Sequence, residues 1–262
     1  MENPGTYLAA MRHTAPLVHN ITNYVAMNVM ANVLLAAGAS PAMVHAREEV
    51  AEFTPIAQSL SINIGTISPH WAEAMEMAAT VAGEQSLPWV LDPVAVGATS
   101  YRRALGARLV ALRPTVIRGN ASEILVLAGA TAAGKGADAT ESVETAESAA
   151  RALARSSGAV VAVTGEVDFV TDGTRAARVA NGHAMMPRVT ALGCSLTGVV
   201  AAFLAGQDPF EATVAALAYY GLAGERAGAT AQGPGSFETA FLDALYTLDA
   251  AALDAGARIS LT

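Results

Sequence analysis

The sequence predicts an α/β fold in three layers, a mainly parallel central sheet with helices on both faces. Three observations predict it. Short apolar runs rich in Val, Ile and Leu alternate with helix-length segments, the rhythm of βαβ units. The chain is 53% hydrophobic and only 15% charged, which fits a compact globule and argues against disorder. Polar residues gather just after the apolar runs, at the edge where open parallel sheets bind ligands.

The strands are expected at Leu17–His19, Ala42–Val44, Leu60–Ile64, Trp89–Leu91, Thr115–Ile117 and Val160–Val163, each short and bounded by turn residues. Helices are expected between them at Thr22–Ala37, Glu48–Gln58, Trp71–Gly83, Arg102–Leu112, Ala121–Ala128 and Glu141–Ser156. After Gly165 the rhythm changes. Val167–Thr171 and Thr174–Ala180 flank Asp172-Gly173, a pair that favours a primed hairpin turn. Helical stretches follow at Ser195–Ala205, Pro209–Arg226 and Phe237–Ala255. No linker or internal repeat interrupts the chain, so residues 1–262 read as a single domain. The segment 129–140, rich in Gly, Ala and Thr, reads as the most flexible.

The net charge of −8 disfavours nucleic acid or an anionic membrane as partner, since both need basic patches. An anionic ligand would need a local positive field from a metal, a helix N-terminus or an arginine. A lone cysteine allows no internal disulfide and fits a reducing, cytoplasmic setting. The first residues lack a basic region followed by an apolar one, so no signal peptide is expected. No apolar stretch reaches the ~20 residues that span a bilayer.

Gly129 to Gly136 reads G-x4-G-K, close to a phosphate-binding loop. Gly136 stands where that loop needs a Ser or Thr hydroxyl for the metal, so the motif is set aside. Asp92 ends an apolar run; it either caps the next segment or holds a metal at the ligand edge. Arg118-Gly119-Asn120-Ala121-Ser122-Glu123 has the spacing of a capping box at Asn120 and Glu123. The same residues would place Arg118 on phosphate oxygens and Glu123 near a metal. Thr164 follows a strand, where its hydroxyl either meets phosphate or caps a turn.

The central feature is Thr190–Thr197, a flexible turn leading into an apolar helix. Backbone N–H groups at such a start point at an anion, and the helix dipole assists. Phosphoryl transfer places charge where fixed donors stabilise it without reorganisation. Cys194 falls in the first turn, where a thiol pKa tends to drop; its alternative role is a small buried hydrophobe. A covalent role for Cys194 would need a histidine partner in space, with His19, His45, His70 and His183 as candidates. His183, in Asn181-Gly182-His183, reads as a turn residue.

Taken together these residues resemble the hydroxyethylthiazole kinase family, ribokinase-like enzymes of thiamine salvage. The resemblance runs from about Val18 to Phe237. It is carried by Val18–Asn28, Gly38–Met43, Asn63–Thr66, Leu91–Val94, Ile117–Ile124, Thr164–Asp168, Asn181–His183, Gly193-Cys194 and Gly233–Phe237, all in order. It implies ATP-dependent phosphorylation of the hydroxyl of hydroxyethylthiazole with Mg2+ as cofactor. Asn23, Met43, Gly65, Thr66 and Ala191 would bind the thiazole, and Met43 would offer a polarizable contact to its sulfur. Arg118, Thr164 and Gly193 would bind ATP, and Asp92 and Glu123 would organise Mg2+. Cys194 would be catalytic, where ribokinase relatives usually place an aspartate base. The resemblance also implies a homotrimer with active sites between subunits.

One departure stands out. The family usually reads Gly-Ala-Gly-Cys before the helix, and this chain has Ala191-Leu192-Gly193-Cys194. Ala191 restricts positive φ there, and Leu192 adds bulk beside the anion site. Transfer would be direct, assisted by N–H donors of Leu192–Ser195. The competing expectations are a kinase of the same fold for a pyrimidine or sugar alcohol, a binding protein that has lost catalysis through Ala191-Leu192, and a Cys-dependent hydrolase.

Overall fold

The structure, a computed structural model, describes residues 3–129 and 139–262. Most of the glycine-lysine run and of the segment expected to be flexible therefore lie outside the described residues. The elements in chain order are α1 (Pro4–Thr14), β1 (Leu17–Ile21), α2 (Met27–Ala37), β2 (Ser40–Met43), α3 (Val50–Phe53), β3 (Ser59–Asn63), α4 (Pro69–Glu84), β4 (Trp89–Asp92) and α5 (Ser100–Ala111). They continue with β5 (Val116–Asn120), α6 (Ala121–Leu127), α7 (Ala139–Ser157), β6 (Val160–Thr164), β7 (Asp168–Thr171), β8 (Ala176–Val179), α8 (Leu192–Phe203), α9 (Pro209–Gly228), α10 (Pro234–Thr247), α11 (Ala250–Gly256) and β9 (Ile259–Leu261).

The strands form one sheet in the order β2-β1-β3-β4-β5-β6-β7-β8-β9. Pairing is parallel from β2 through β6 and antiparallel from β6 through β9. Side chains alternate between the two faces. Val90, Val116, Val160 and Ala162 pack into one core with residues of α1, α2, α8, α9 and α10. Their neighbours Leu91, Ile117, Val161 and Val163 pack into the other, with residues of α4, α5 and α7. Both faces are covered, which explains why the central strands read as continuous apolar runs. The fold is the expected three-layer α/β arrangement.

α8 is the element that matters most for the site. It contacts β3 and β4 and packs against α2 and α9. Gly198 permits its close approach to α2, because a Cβ there would lie 3.2 Å from Leu34 Cδ1 and Met30 Cγ. Val199, Val200 and Phe203 are fully buried, each contributing about 1.5–3 kcal/mol of apolar burial. That anchorage holds the N-terminal turn of α8 over the sheet edge.

The structure corrects several boundaries. α2 begins at Met27 rather than Thr22, because Asn23 Oδ1 accepts the N–H groups of Val25 and Ala26, both at 3.1 Å, and turns the chain first. The expected 48–58 helix is the short α3 followed by a 3-10 turn Thr54–Ile56 that contains Pro55. The Asp172-Gly173 hairpin forms, but not on a two-residue turn. Asp172 Oδ1 collects Thr174 N at 2.9 Å and Arg175 N at 2.7 Å, giving a longer loop between Thr171 and its partner Ala176. The expected 237–255 helix is α10 and α11, broken at extended Leu248, after which Asp249 caps Ala252 N at 2.8 Å. α1 and β9 were not expected. α8 starts at Leu192, earlier than the expected Ser195.

Candidate active site

The parallel strands β1, β3, β4, β5 and β6 end at one edge, and the N-terminus of α8 meets them there. One chain of hydrogen bonds links four of these elements. Asn23 Nδ2 donates to Asn63 Oδ1 at 2.8 Å and to Cys194 Sγ at 3.3 Å. Asn63 Nδ2 donates to Asp92 Oδ2 at 2.7 Å. Thr197 Oγ1, one turn into α8, donates to the same oxygen at 2.8 Å. Asn23, Asn63, Asp92 and Thr197 are all buried. Their hydrogen bonds satisfy groups that would otherwise be costly to bury.

Ala191, the residue before α8, adopts the left-handed conformation with φ 62° and ψ 0°. Alanine therefore occupies, at some strain, a conformation that glycine adopts readily. Leu192 buries its side chain in the apolar core, so packing takes up its bulk. Its carbonyl accepts the Tyr220 hydroxyl at 2.8 Å, and that hydroxyl also lies 2.8 Å from Ser195 Oγ. Ser195 N–H is bonded to Ala191 O at 2.8 Å. The donors that precede the helical ladder are thus Leu192, Gly193 and Cys194, without Ser195.

Arg118, on β5, ties the edge together. Its Nη1 donates to Gly193 O at 2.9 Å, its Nη2 to Thr164 Oγ1 at 2.8 Å, and it pairs with Asp92 Oδ2 at 3.5 Å. Its Nε is buried without a hydrogen-bond partner among the described residues. Arg118, Thr164 and Gly193 are therefore assembled as one group.

Burial pushes the Asp92 carboxyl up to about 6 against the opposing pull of Arg118, Thr197 and Asn63; the nearby Glu123 charge pushes it further up. Glu123 is the third helical residue of α6. Its Oε2 accepts Asn120 N at 2.9 Å and its Oε1 accepts Ala95 N at 2.8 Å, while Asn120 Oδ1 accepts Glu123 N at 3.0 Å. The capping box is real, and its carboxylate is also close enough to Asp92 for the charges to be felt. Among the described residues no three His, Cys, Asp or Glu side chains cluster as an all-protein metal cage. A carboxylate pair fits an ion such as Mg2+, which takes its other ligands from phosphates and water.

The Cys194 thiol moves opposite to the expectation from its helix-start position. Burial raises its pKa first and the Asp92 charge raises it further, against hydrogen bonds from Asn23 and Asn63 and the charge of Arg118. No histidine is among the hydrogen-bond partners of Cys194 in the described residues. His19 bonds Val44 O and Thr54, and His183 accepts Met185 N in a turn. The geometry offers nothing to a Cys-His hydrolase.

Asn23 and Gly65 touch closely: a Cβ on Gly65 would lie 2.7 Å from Asn23 Nδ2. Thr66 Oγ1 accepts Tyr24 N at 3.0 Å. Met43 is at the same sheet edge, as the last residue of β2 paired with Asn20, and partly packs into the apolar core. Sequence reasoning gave no side-chain role to Thr197, Tyr220 or Asp168, and gave Ser195 only a backbone N–H. Asp168 Oδ1 accepts Gly165 N at 2.9 Å and braces the turn after Thr164. A polar residue recurring on the otherwise apolar α8 was the only signal for Thr197.

The hydroxyethylthiazole kinase family model matches residues 8–251. A hydroxyethylthiazole kinase of Cereibacter sphaeroides is 70% identical over 259 residues, covering 99% of both chains. One from Rhizobium johnstonii is 61% identical, covering 98% of this chain and 97% of its own. The solved hydroxyethylthiazole kinase protein from Pyrococcus horikoshii superposes with a TM-score of 0.92 at 39% identity, over 99% of this chain and 98% of its own. A Staphylococcus aureus pyridoxal kinase in complex with AMP-PCP and pyridoxal shares the fold, with a TM-score of 0.66 at 16% identity over 94% of this chain and 98% of its own. With the family model matched across most of its length and relatives this similar, the chain belongs to the hydroxyethylthiazole kinase family.

Proposed function

We propose that this chain, acting as one catalytic domain over 1–262, transfers the γ-phosphoryl group of ATP to the hydroxyl of hydroxyethylthiazole in thiamine salvage. The observation that carries this reading is the bridge made by Arg118. It joins Thr164 and the Gly193 carbonyl, and so fastens a phosphate-binding arginine to a helix start with free N–H donors. Arg118, Thr164 and Gly193 hold the nucleotide phosphates. The alcohol oxygen attacks the γ-phosphorus in line, the new O–P bond forms, and the bond to the departing ADP breaks. N–H groups of Leu192, Gly193 and Cys194 receive the developing charge.

Asn23, Met43, Gly65, Thr66 and Ala191 form the alcohol side of the site. Cys194 sits beside the hydroxyl. The thiol, kept protonated by burial and the Asp92 charge, takes no proton, so the alcohol proton passes to the transferred phosphoryl oxygens as the O–P bond forms and turnover is modest. Asp92 and Glu123 would hold Mg2+, which supplies charge neutralisation to the phosphates. Tyr24 and Val25, next to Asn23, are 68% and 56% exposed, and β2 with Met43 is the edge strand. An uncovered apolar surface beside the pocket supports completion of the site by another copy, in a homotrimer. No helix among the described residues is long and apolar enough to cross a membrane, in keeping with a cytoplasmic enzyme.

ADP formation with hydroxyethylthiazole, measured with and without Mg2+, tests the reading. The expected result is turnover that needs both. Turnover only on non-thiazole alcohols, or thiazole binding with no ADP formed, would overturn it.

A further inference from the structure

Three loops carry the residues assigned to the alcohol side of the site. The loop after β1 carries Asn23, the end of β2 carries Met43, and the loop after β3 carries Gly65 and Thr66. These loops meet on the first turn of α4. Trp71 is 5% exposed there, with its backbone N–H directed at the capping Ser68 Oγ at 3.4 Å. The Tyr24 ring, from the first loop, lies 4.7 Å from the Trp71 ring, tilted by 37°. The His45 ring, two residues beyond Met43, lies 4.6 Å away on the same indole, tilted by 56°.

Polar contacts repeat the pattern. Tyr24 N donates to Thr66 Oγ1 at 3.0 Å, joining the first loop to the third. Arg47 forms an ion pair with Glu73 of α4, joining the second loop to the same turn. His45 buries Nδ1 with no hydrogen-bond partner among the described residues. Its position is therefore set by ring packing rather than by a hydrogen bond at that nitrogen. An indole at a helix start is ordinarily core filler, and Trp71 does belong to one apolar core. Its two ring neighbours, however, both come from pocket-bearing loops at the ligand edge. Arg118 and Thr164, on the nucleotide side, stand on β5 and β6 and make none of these contacts.

We propose that Trp71 is a positioning residue for the alcohol pocket, the common support on which the loops bearing Asn23, Met43 and Gly65–Thr66 are held in register. The inference rests on the kinase reading above. It separates the two substrates: Trp71 governs the fit of the alcohol and leaves the nucleotide alone. Near-attack geometry is sensitive to displacements of about 1 Å, so loosened loops show up in kinetics before they show up as unfolding.

The test is a comparison of wild-type enzyme with Trp71→Leu, Trp71→Phe and Glu73→Gln, measuring KM for the alcohol, KM for ATP, kcat and Tm. Trp71→Leu is expected to raise the alcohol KM by about tenfold, equivalent to about 1.4 kcal/mol, with ATP KM within about twofold of wild type. Trp71→Phe restores most of the loss, because a ring still reaches Tyr24 and His45. Glu73→Gln removes only an exposed ion pair and so cannot empty the core. It is expected to raise the alcohol KM by about two- to threefold, the small effect an exposed ion pair gives. Equal losses for alcohol and ATP in Trp71→Leu, or unchanged alcohol KM in both Trp71→Leu and Glu73→Gln, overturn the proposal. If Trp71→Leu does not fold, Trp71→Phe and Glu73→Gln decide it. The alcohol is whichever one the wild-type enzyme phosphorylates. Failure of hydroxyethylthiazole as substrate would then count against the kinase reading above, while the substrate split still decides the role of Trp71.

Discussion

Arg118 Nη1 donates to the Gly193 carbonyl at 2.9 Å, so the guanidinium is bonded to the turn whose N–H groups precede the helical ladder of α8. Its other nitrogen, Nη2, reaches Thr164 Oγ1 at 2.8 Å. One planar group thereby sets the distance between β6 and the start of α8. Lysine keeps the charge but offers a point donor in place of a fork. Arg118→Lys is therefore expected to lower kcat/KM for ATP by about 10²–10³, comparable with losing a transition-state donor. The fold should survive, because the side chain is not part of either apolar core. Steady-state kinetics with varied ATP check this, and a variant within about threefold of wild type would refute the bridging role.

Ala191 carries φ 62° immediately before α8. Left-handed backbone costs an alanine about 1–2 kcal/mol, and glycine relieves that at a smaller entropic penalty in the unfolded chain. Ala191→Gly is expected to stabilise the protein by about 1 kcal/mol, seen as a rise of about 2–4 °C in Tm for a chain of this size. Activity should hold or rise, since the turn geometry is already the one glycine prefers. A fall in Tm would show that the alanine methyl makes packing contacts worth more than the strain.

The fold was legible in the sequence because its determinants are local and repeated. β4 and β6 announce themselves as short apolar runs, and Asn120 with Glu123 announces the start of α6. What the sequence hid depends on non-local contacts. α1 is short, and its Leu8 and Met11 matter only because other elements cover them. The late start of α2 follows from one side chain, Asn23, turning onto its own backbone. In the site, Asp92 and Arg118 were visible at strand ends, but Thr197 and Tyr220 were not. Their roles arise from where α8 and α9 land. The Cys194 thiol was misjudged because helix-start position is local, whereas burial and the Asp92 charge are not.

Asp168 offers a test of site electrostatics by pH. Burial pushes its carboxyl up to about 6, against a hydrogen bond from Gly165 and the charge of Arg118. In the unfolded chain it titrates near 3.8. Between these values the folded state binds more protons, so this group makes stability fall as pH rises from about 4 to 6. The two-unit gap sets a ceiling of about 3 kcal/mol. Asp168→Asn keeps an acceptor for Gly165 N and removes the charge. Its Tm is expected to exceed wild type above pH 6, with the difference vanishing near pH 4. A difference that does not change with pH would mean that the carboxylate is not held in a charge-averse setting.

Cys194 lies 3.3 Å from Asn23 Nδ2, with its pKa raised by burial and by Asp92. At neutral pH it is an uncharged thiol. An aspartate in its place would accept the same Asn23 donor and gain from the Arg118 charge, at the expense of repulsion from Asp92. Such a carboxylate is the better proton acceptor. Proton removal is nevertheless a small part of a loose phosphoryl transfer, in which positioning and electrostatics dominate. Cys194→Asp is therefore expected to retain activity or raise kcat, by less than about 100-fold, the low end of what general bases supply. Cys194→Ser places a hydroxyl of far higher pKa there, and should lower kcat while leaving both KM values near wild type. The comparison is made at one pH, with ATP and alcohol each varied at a saturating level of the other. An inactive Cys194→Asp beside a fully active Cys194→Ser would mean that position 194 is not placed to act as a base.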